Sequence, residues 1–112
     1  MPPIGTELDA LVLRTIQEAY LAGNVRKTKD CVEDMARDGL FEADVEKVIT
    51  EATTIEKAMP ATSQKASSPQ NTHYVINGTS TRDIEVYCKV CSNYHPSTNE
   101  FLGWKLTSFE NK

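Results

Sequence analysis

The chain has 112 residues, 39% hydrophobic, 25% charged and 7% aromatic, the balance of one small globular domain, and two full domains do not fit this length. No apolar run approaches the roughly 20 residues needed to span a bilayer, and the start, Met1 to Glu7, lacks the basic and apolar regions of a signal peptide, so a cytoplasmic location is expected. Twelve Lys and Arg against sixteen Asp and Glu leave a net charge of −4, which argues against a general nucleic-acid coat. The charge is uneven: residues 1–51 carry six basic and eleven acidic groups, whereas residues 52–112 carry six and five. An anion-binding surface is therefore expected in the second half. Three cysteines, Cys31, Cys88 and Cys91, are an odd set for a disulfide framework and suit reduced thiols.

From Thr6 to Ala22, Leu8, Leu11, Val12, Ile16, Ala19 and Tyr20 recur at three- and four-residue steps and predict a helix ended by Gly23-Asn24. Val25 to Thr28 is short and fits an edge strand. Thr28 then caps a second helix from Lys29 to about Arg37, and Asp38-Gly39 turns the chain. A third helix is expected from about Glu42 to Ala52, with Val45, Val48 and Ile49 inward, Leu40 or Phe41 packing at its start, and Glu42, Asp44, Glu46 and Glu51 on a solvated face.

Beyond it the period falls to two. Residues 53–59, 73–77, 84–90 and 104–109 are short, β-branched or aromatic, and bounded by turn residues, which predicts four strands. The polar stretch from Pro60 to Asn71 reads as a mobile loop, Asn77 to Ser80 with Asp83 as a hairpin connection, and Ser92 to Glu100 as a longer turn. No helix-length crossover separates these strands, so they are expected to be antiparallel. The fold class is α+β, a single domain over residues 1–112, with three helices on one face of a small antiparallel sheet and the other face open.

Alternation in Ile84 to Cys91 sends Ile84, Val86, Cys88 and Val90 to the helices and Glu85, Tyr87, Lys89 and Cys91 to the open face. There Tyr87 and Lys89 can grip a phosphate and stack on a base, or simply be the solvent side of a strand. Cys88-x-x-Cys91-x-x-x-His95 has the spacing of a zinc half-site, which Cys31 or His73 could complete. Residues three apart on a regular strand point to opposite faces, however, which favours a buried Cys88. His73 and His95 flank the sheet and titrate near neutrality, as proton movers or as solvated bystanders. No GxGxxG, P-loop, HExxH or GxSxG is present, so nucleotide cofactors, zinc proteolysis and serine hydrolysis have no motif behind them.

The order LRTIQEAYLAGNVRKTK (13–29), CVEDMARDGLFEADVEKVI (31–49) and IEKAM (55–59) resembles the MqsR toxins and the neighbouring DUF4258 domains. The elements that carry it are G-x-V-R-x-T at Gly23 to Thr28, K-x-M at Lys57 to Met59 and V-Y-x-K at Val86 to Lys89. The resemblance implies a RelE-like fold and a bacterial toxin–antitoxin module: a cytoplasmic, ribosome-independent, sequence-specific mRNA endoribonuclease that uses no cofactor or metal and is neutralised by a cognate antitoxin protein. Lys57 matches a family active-site lysine and Tyr87 its tyrosine. Lys89 joins them from the same strand face, and Arg26 and Arg82 are the candidate RNA-binding residues. The family glutamine has no clean counterpart, since His73 or Tyr74 fills the nearest strand position and Gln70 lies in the loop. The family C-terminal lysine falls near Glu110, leaving Lys105 or Lys112 as substitutes. Asp30 stands where DUF4258 relatives often carry a histidine. The reading from another class is a non-catalytic protein-interaction domain of the same fold, with the acidic helical face as its contact surface.

Overall fold

The structure, a computed structural model, describes residues 6–60 and 71–112, with side chains described from Asp9 onward. The described residues form three helices and five strands: α1 (Thr6–Leu21), β1 (Val25–Lys27), α2 (Lys29–Asp38), α3 (Glu42–Glu51), β2 (Lys57–Pro60), β3 (Thr72–Thr79), β4 (Glu85–Tyr94) and β5 (Phe101–Asn111). The α+β class holds, but the sheet is mixed. Its order is β1-β5-β4-β3-β2, and β1 runs parallel to β5 while the other pairs are antiparallel. The expectation of a purely antiparallel sheet considered only connections between successive strands. Here everything from α2 to β4 forms the crossover that lets β1 join β5 in parallel.

The helix ends are closed by identifiable groups, local for α1 and α2 and from another helix for α3. Behind α1, Gly23 takes φ +77° and the Gly23 and Asn24 amides donate back to the Tyr20 and Ala19 carbonyls. Thr28 caps α2 by accepting from the Cys31 amide at 3.2 Å, and Gly39 closes it in the left-handed region at φ +68°. The last carbonyls of α3 are met by Gln17 of α1, whose Nε2 donates to Ile49 and Ala52 at 3.0 Å each.

The core lies between the helices and one sheet face, where Ile16, Val45, Ile49, Ile76, Val86, Cys88, Val90, Leu106 and Phe109 are fully buried. Two expected positions differ, Leu11 and Asp44. Leu11 is exposed, and α1 buries Leu13 beside the expected Ile16, because the helix meets α3 and β1 on that stripe. Of the two residues expected to pack at the start of α3, Leu40 does so and Phe41 is exposed. Asp44 is buried rather than solvated: its carboxylate accepts from the Phe41 amide at 2.7 Å and from the Thr81 amide and hydroxyl at 2.8 Å each. Burial pushes its carboxyl up, yet these bonds outweigh burial and leave it below the usual range. Asp44 thus ties α3 to the turn between β3 and β4.

The strand limits differ from those expected, β2 starting later and β3, β4 and β5 running longer. Residues 53–56 precede β2, and β3 continues through Asn77-Gly78, so the hairpin turn is Ser80 to Ile84. Gly78 is a close-approach position, since a Cβ there would stand 3.1 Å from Val48 Cγ1. The β4–β5 turn begins after Tyr94, not at Ser92. Most of the stretch read as a mobile loop, residues 61–70, lies outside the described residues; Pro60 ends β2 and Asn71 is buried, its Oδ1 accepting from the Tyr94 amide. No described helix is long and apolar enough to cross a membrane.

Candidate functional site

The face away from the helices is built by strand parity. In β4, Val86, Cys88 and Val90 enter the core, so Tyr87, Lys89 and Cys91 stand opposite, as the alternation predicts. Register then fixes their neighbours in rows. One row runs Met59, His73, Cys91, Lys105 and Arg26 across all five strands. The next holds Lys57, Val75, Lys89 and Ser108, and the third Asn77, Tyr87 and Glu110. A register shift between Lys89 and Val90 inserts Thr107 as an extra residue, which keeps Lys105 on this face while Leu106 and Phe109 stay in the core.

Five strands therefore bring Lys57, His73, Tyr87, Lys89, Lys105 and Arg26 to one surface. Rows on one face are about 7 Å apart. The middle row sets Lys57 and Lys89 either side of buried Val75, with His73 one row to one side and Tyr87 one row to the other.

Four of the seven described cations outside these rows are held by acids. Lys27 pairs with Glu42, Lys29 with Glu33, Lys47 with Glu51, and Arg37 with Asp34, Asp38 and Glu110. Among the described residues Arg26, Lys57, Lys89 and Lys105 of this face have no acidic partner, and neither have Arg14, Arg82 and Lys112 outside it. The acids of the face, Glu85 and Glu110, lie at its far end, and Glu110 is held by Arg37. Three of these cations come from the second half, where an anion-binding surface is expected from the charge distribution; the fourth, Arg26, arrives from the first half because β1 pairs with β5. Burial, and then the Lys89 ammonium, hold His73 below the ordinary histidine range, so its imidazole is neutral and ready to accept a proton near pH 7.

Other candidates fall elsewhere. Arg82 lies in the β3–β4 turn, where its guanidinium donates to the Gly39 carbonyl at 2.9 Å, far from the row of Lys105 and Arg26; its part is to hold the turn against α2. Cys88 is in the core and Cys91 on the opposite face, while His95 accepts from the Ser97 and Thr98 amides in the next turn. The set Cys88, Cys91 and His95 is therefore not brought together, and no group of three His, Cys, Asp or Glu able to hold a metal occurs among the described residues. Burial pushes the Cys31 thiol up to about 11 and raises Cys88 and Cys91 as well, which keeps them protonated. Lys112 is the last residue, beyond β5.

Of the acidic helical face only Asp44 is buried; Glu42 accepts from both Lys27 and Tyr20 and Glu51 lies by Lys47, but both stay exposed, as does Glu46. What the sequence concealed was the reach of Arg26 and Lys105 to one another, since only the parallel pairing of remote segments makes them neighbours.

No family model matches the chain, and no curated protein or solved structure is significantly similar to it.

Proposed function

We propose that this protein is an mRNA-cleaving toxin with a RelE-like fold, similar to MqsR, which binds RNA on the open face of its sheet and is held in check in the bacterial cytoplasm by a cognate antitoxin protein. The observation that carries the reading is the gathering of four cations without acidic partners, a neutral histidine and a tyrosine on one face of an otherwise acidic protein. Unpaired cations set beside one another repel, and a phosphodiester relieves that repulsion.

In the proposed step a ribose 2′-oxygen bonds to the adjacent phosphorus, and the bond from phosphorus to the 5′-oxygen breaks. The products are a 2′,3′-cyclic phosphate and a 5′-hydroxyl. His73 takes the 2′-hydroxyl proton and Tyr87 protonates the departing 5′-oxygen, while Lys57 and Lys89, flanking Val75, stabilise the added negative charge. Lys105 and Arg26 hold neighbouring phosphates.

The test is mapping of new RNA 5′ ends after induced expression in a bacterial host, with Lys57→Ala and Tyr87→Phe alongside. The expected result is cuts at a short recurrent sequence, reduced about 100-fold or more in each variant. Retained cutting by both variants removes the site assignment, and no cutting by folded parent protein removes the nuclease.

A further inference from the structure

Beyond the row of Cys91, Lys105 and Arg26 the open face continues for one more row. Asn93 of β4 pairs with Gly103 of β5, two residues past the pair of Cys91 and Lys105. Both register shifts between these strands skip a residue of β5 and none of β4, so Asn93 faces the same way as Cys91. β1 begins opposite Trp104 and sets Arg26 across from Lys105. Asn93, Gly103, Lys105 and Arg26 all line one open groove of about 1080 Å³ that runs between β5 and the C-terminal half of α1. Its other wall lies on the helix side of β5, where the Phe101 ring, 43% exposed, packs on Tyr94 and Trp104. The strand itself separates that wall from the cations, so it is the open-face residues that can act together on one small group.

Three properties set Asn93 apart. It is half-buried, and no described residue bonds its side-chain amide. Its cross-strand neighbour has no side chain: Gly103 takes φ +117°, and a Cβ there would meet nothing within 4 Å. Directly opposed residues on one face stand about 5 Å apart and the next row about 7 Å away, which sets Lys105 one row from the amide, with Arg26 next to Lys105.

An amide holds an acceptor and two donors in one plane, so it can make two hydrogen bonds side by side with the edge of a nucleobase. Cations hold phosphates and read no base. The bare backbone at Gly103 leaves room for a flat ring beside the amide. We infer that Asn93 is the base-reading residue of the open face: when Lys105 and Arg26 hold a phosphate of a single-stranded RNA, the base of that nucleotide lies over Gly103 and presents its hydrogen-bonding edge to the Asn93 amide. This rests on the reading of the open face as an RNA surface and names the residue that gives that surface a sequence preference. In a duplex the pairing edge is already taken by the opposite base, so the subsite selects unpaired bases.

The test is fluorescence anisotropy with a labelled 2′-O-methyl oligoribonucleotide of about ten nucleotides, made in four versions of a single base each. The methyl group blocks the 2′-oxygen, so binding is read without cleavage. An abasic oligomer of equal length presents the phosphates alone. The parent protein is expected to bind one of the four versions about tenfold more tightly than the weakest. Asn93→Leu, similar in size but without hydrogen-bonding groups, and Asn93→Ala each abolish that preference and leave the abasic oligomer unchanged. Lys105→Ala weakens all five. A parent without preference, a preference that survives in either Asn93 variant, or an equal loss on all five oligomers in those variants overturns the subsite while leaving the RNA surface standing. Failure of the parent protein to bind any of the five overturns the surface and the subsite together.

Discussion

The salt dependence of binding follows from how many cations face the nucleic acid. Each phosphate neutralised on a single strand contributes about 0.7 to the slope of log affinity against log salt. Arg26, Lys57, Lys89 and Lys105 are the described cations of the open face, and none shares its charge with an acid. Four such contacts give a slope of about −3, so binding of the 2′-O-methyl oligomer weakens about fifty-fold between 50 and 200 mM salt. Removing one, by Lys89→Ala or Lys105→Ala, brings the slope near −2 and the loss over the same interval to about twenty-fold. Lys29→Ala is the control: this lysine sits on α2 within 3.9 Å of Glu33, and its removal leaves the slope unchanged. The measurement is an anisotropy titration at four or five salt concentrations for each protein. A parental slope near zero, or one that Lys29→Ala lowers as much as Lys89→Ala does, refutes the assignment of the sheet face.

Asp44→Ala strands the Phe41 amide and the Thr81 amide and hydroxyl and is expected to cost about 3 kcal/mol, read as a shift of the urea midpoint at constant slope. Because the Asp44 carboxyl lies below its usual range, its contribution is complete above about pH 4 and lost as pH falls through the folded value; Asp44→Asn removes that part of the acid sensitivity. Gly78→Ala forces a methyl against both Val48 methyls, at 3.1 and 3.2 Å, and should cost about 1–3 kcal/mol in denaturation; Val48→Ala in the same chain recovers part of the loss. His73 binds its proton more weakly in the folded chain, so stability is complete above about pH 6.5 and declines as pH falls below it; His73→Gln flattens this region of a stability-versus-pH series.

Local pattern sufficed for the helices. Thr28, Gly39 and the Val45, Val48, Ile49 stripe follow from capping and a 3.6-residue period, which act within one turn. Alternation in β4 likewise identified the face that carries Tyr87 and Lys89. The parallel joining of β1 to β5 was not legible, because the register of remote segments is set by the whole sheet and leaves no mark within three residues. Asp44 was misread for a related reason. An acid in a helix's first turn normally faces water, and only the Thr81 turn, remote in sequence, makes burial favourable. Phe101 is a further case: its exposure depends on how early β1 stops, which is a property of the edge rather than of the strand that bears it.

The parallel edge also orders assembly in time. β3 and β4 are joined by a five-residue turn, so His73, Tyr87 and Lys89 share a surface as soon as a local hairpin closes. Arg26 and Lys105 meet only when segments from opposite ends of the described chain come together, the slowest kind of contact to form. A partly folded chain therefore presents His73, Tyr87 and Lys89 together before Arg26 and Lys105 complete the row beside them.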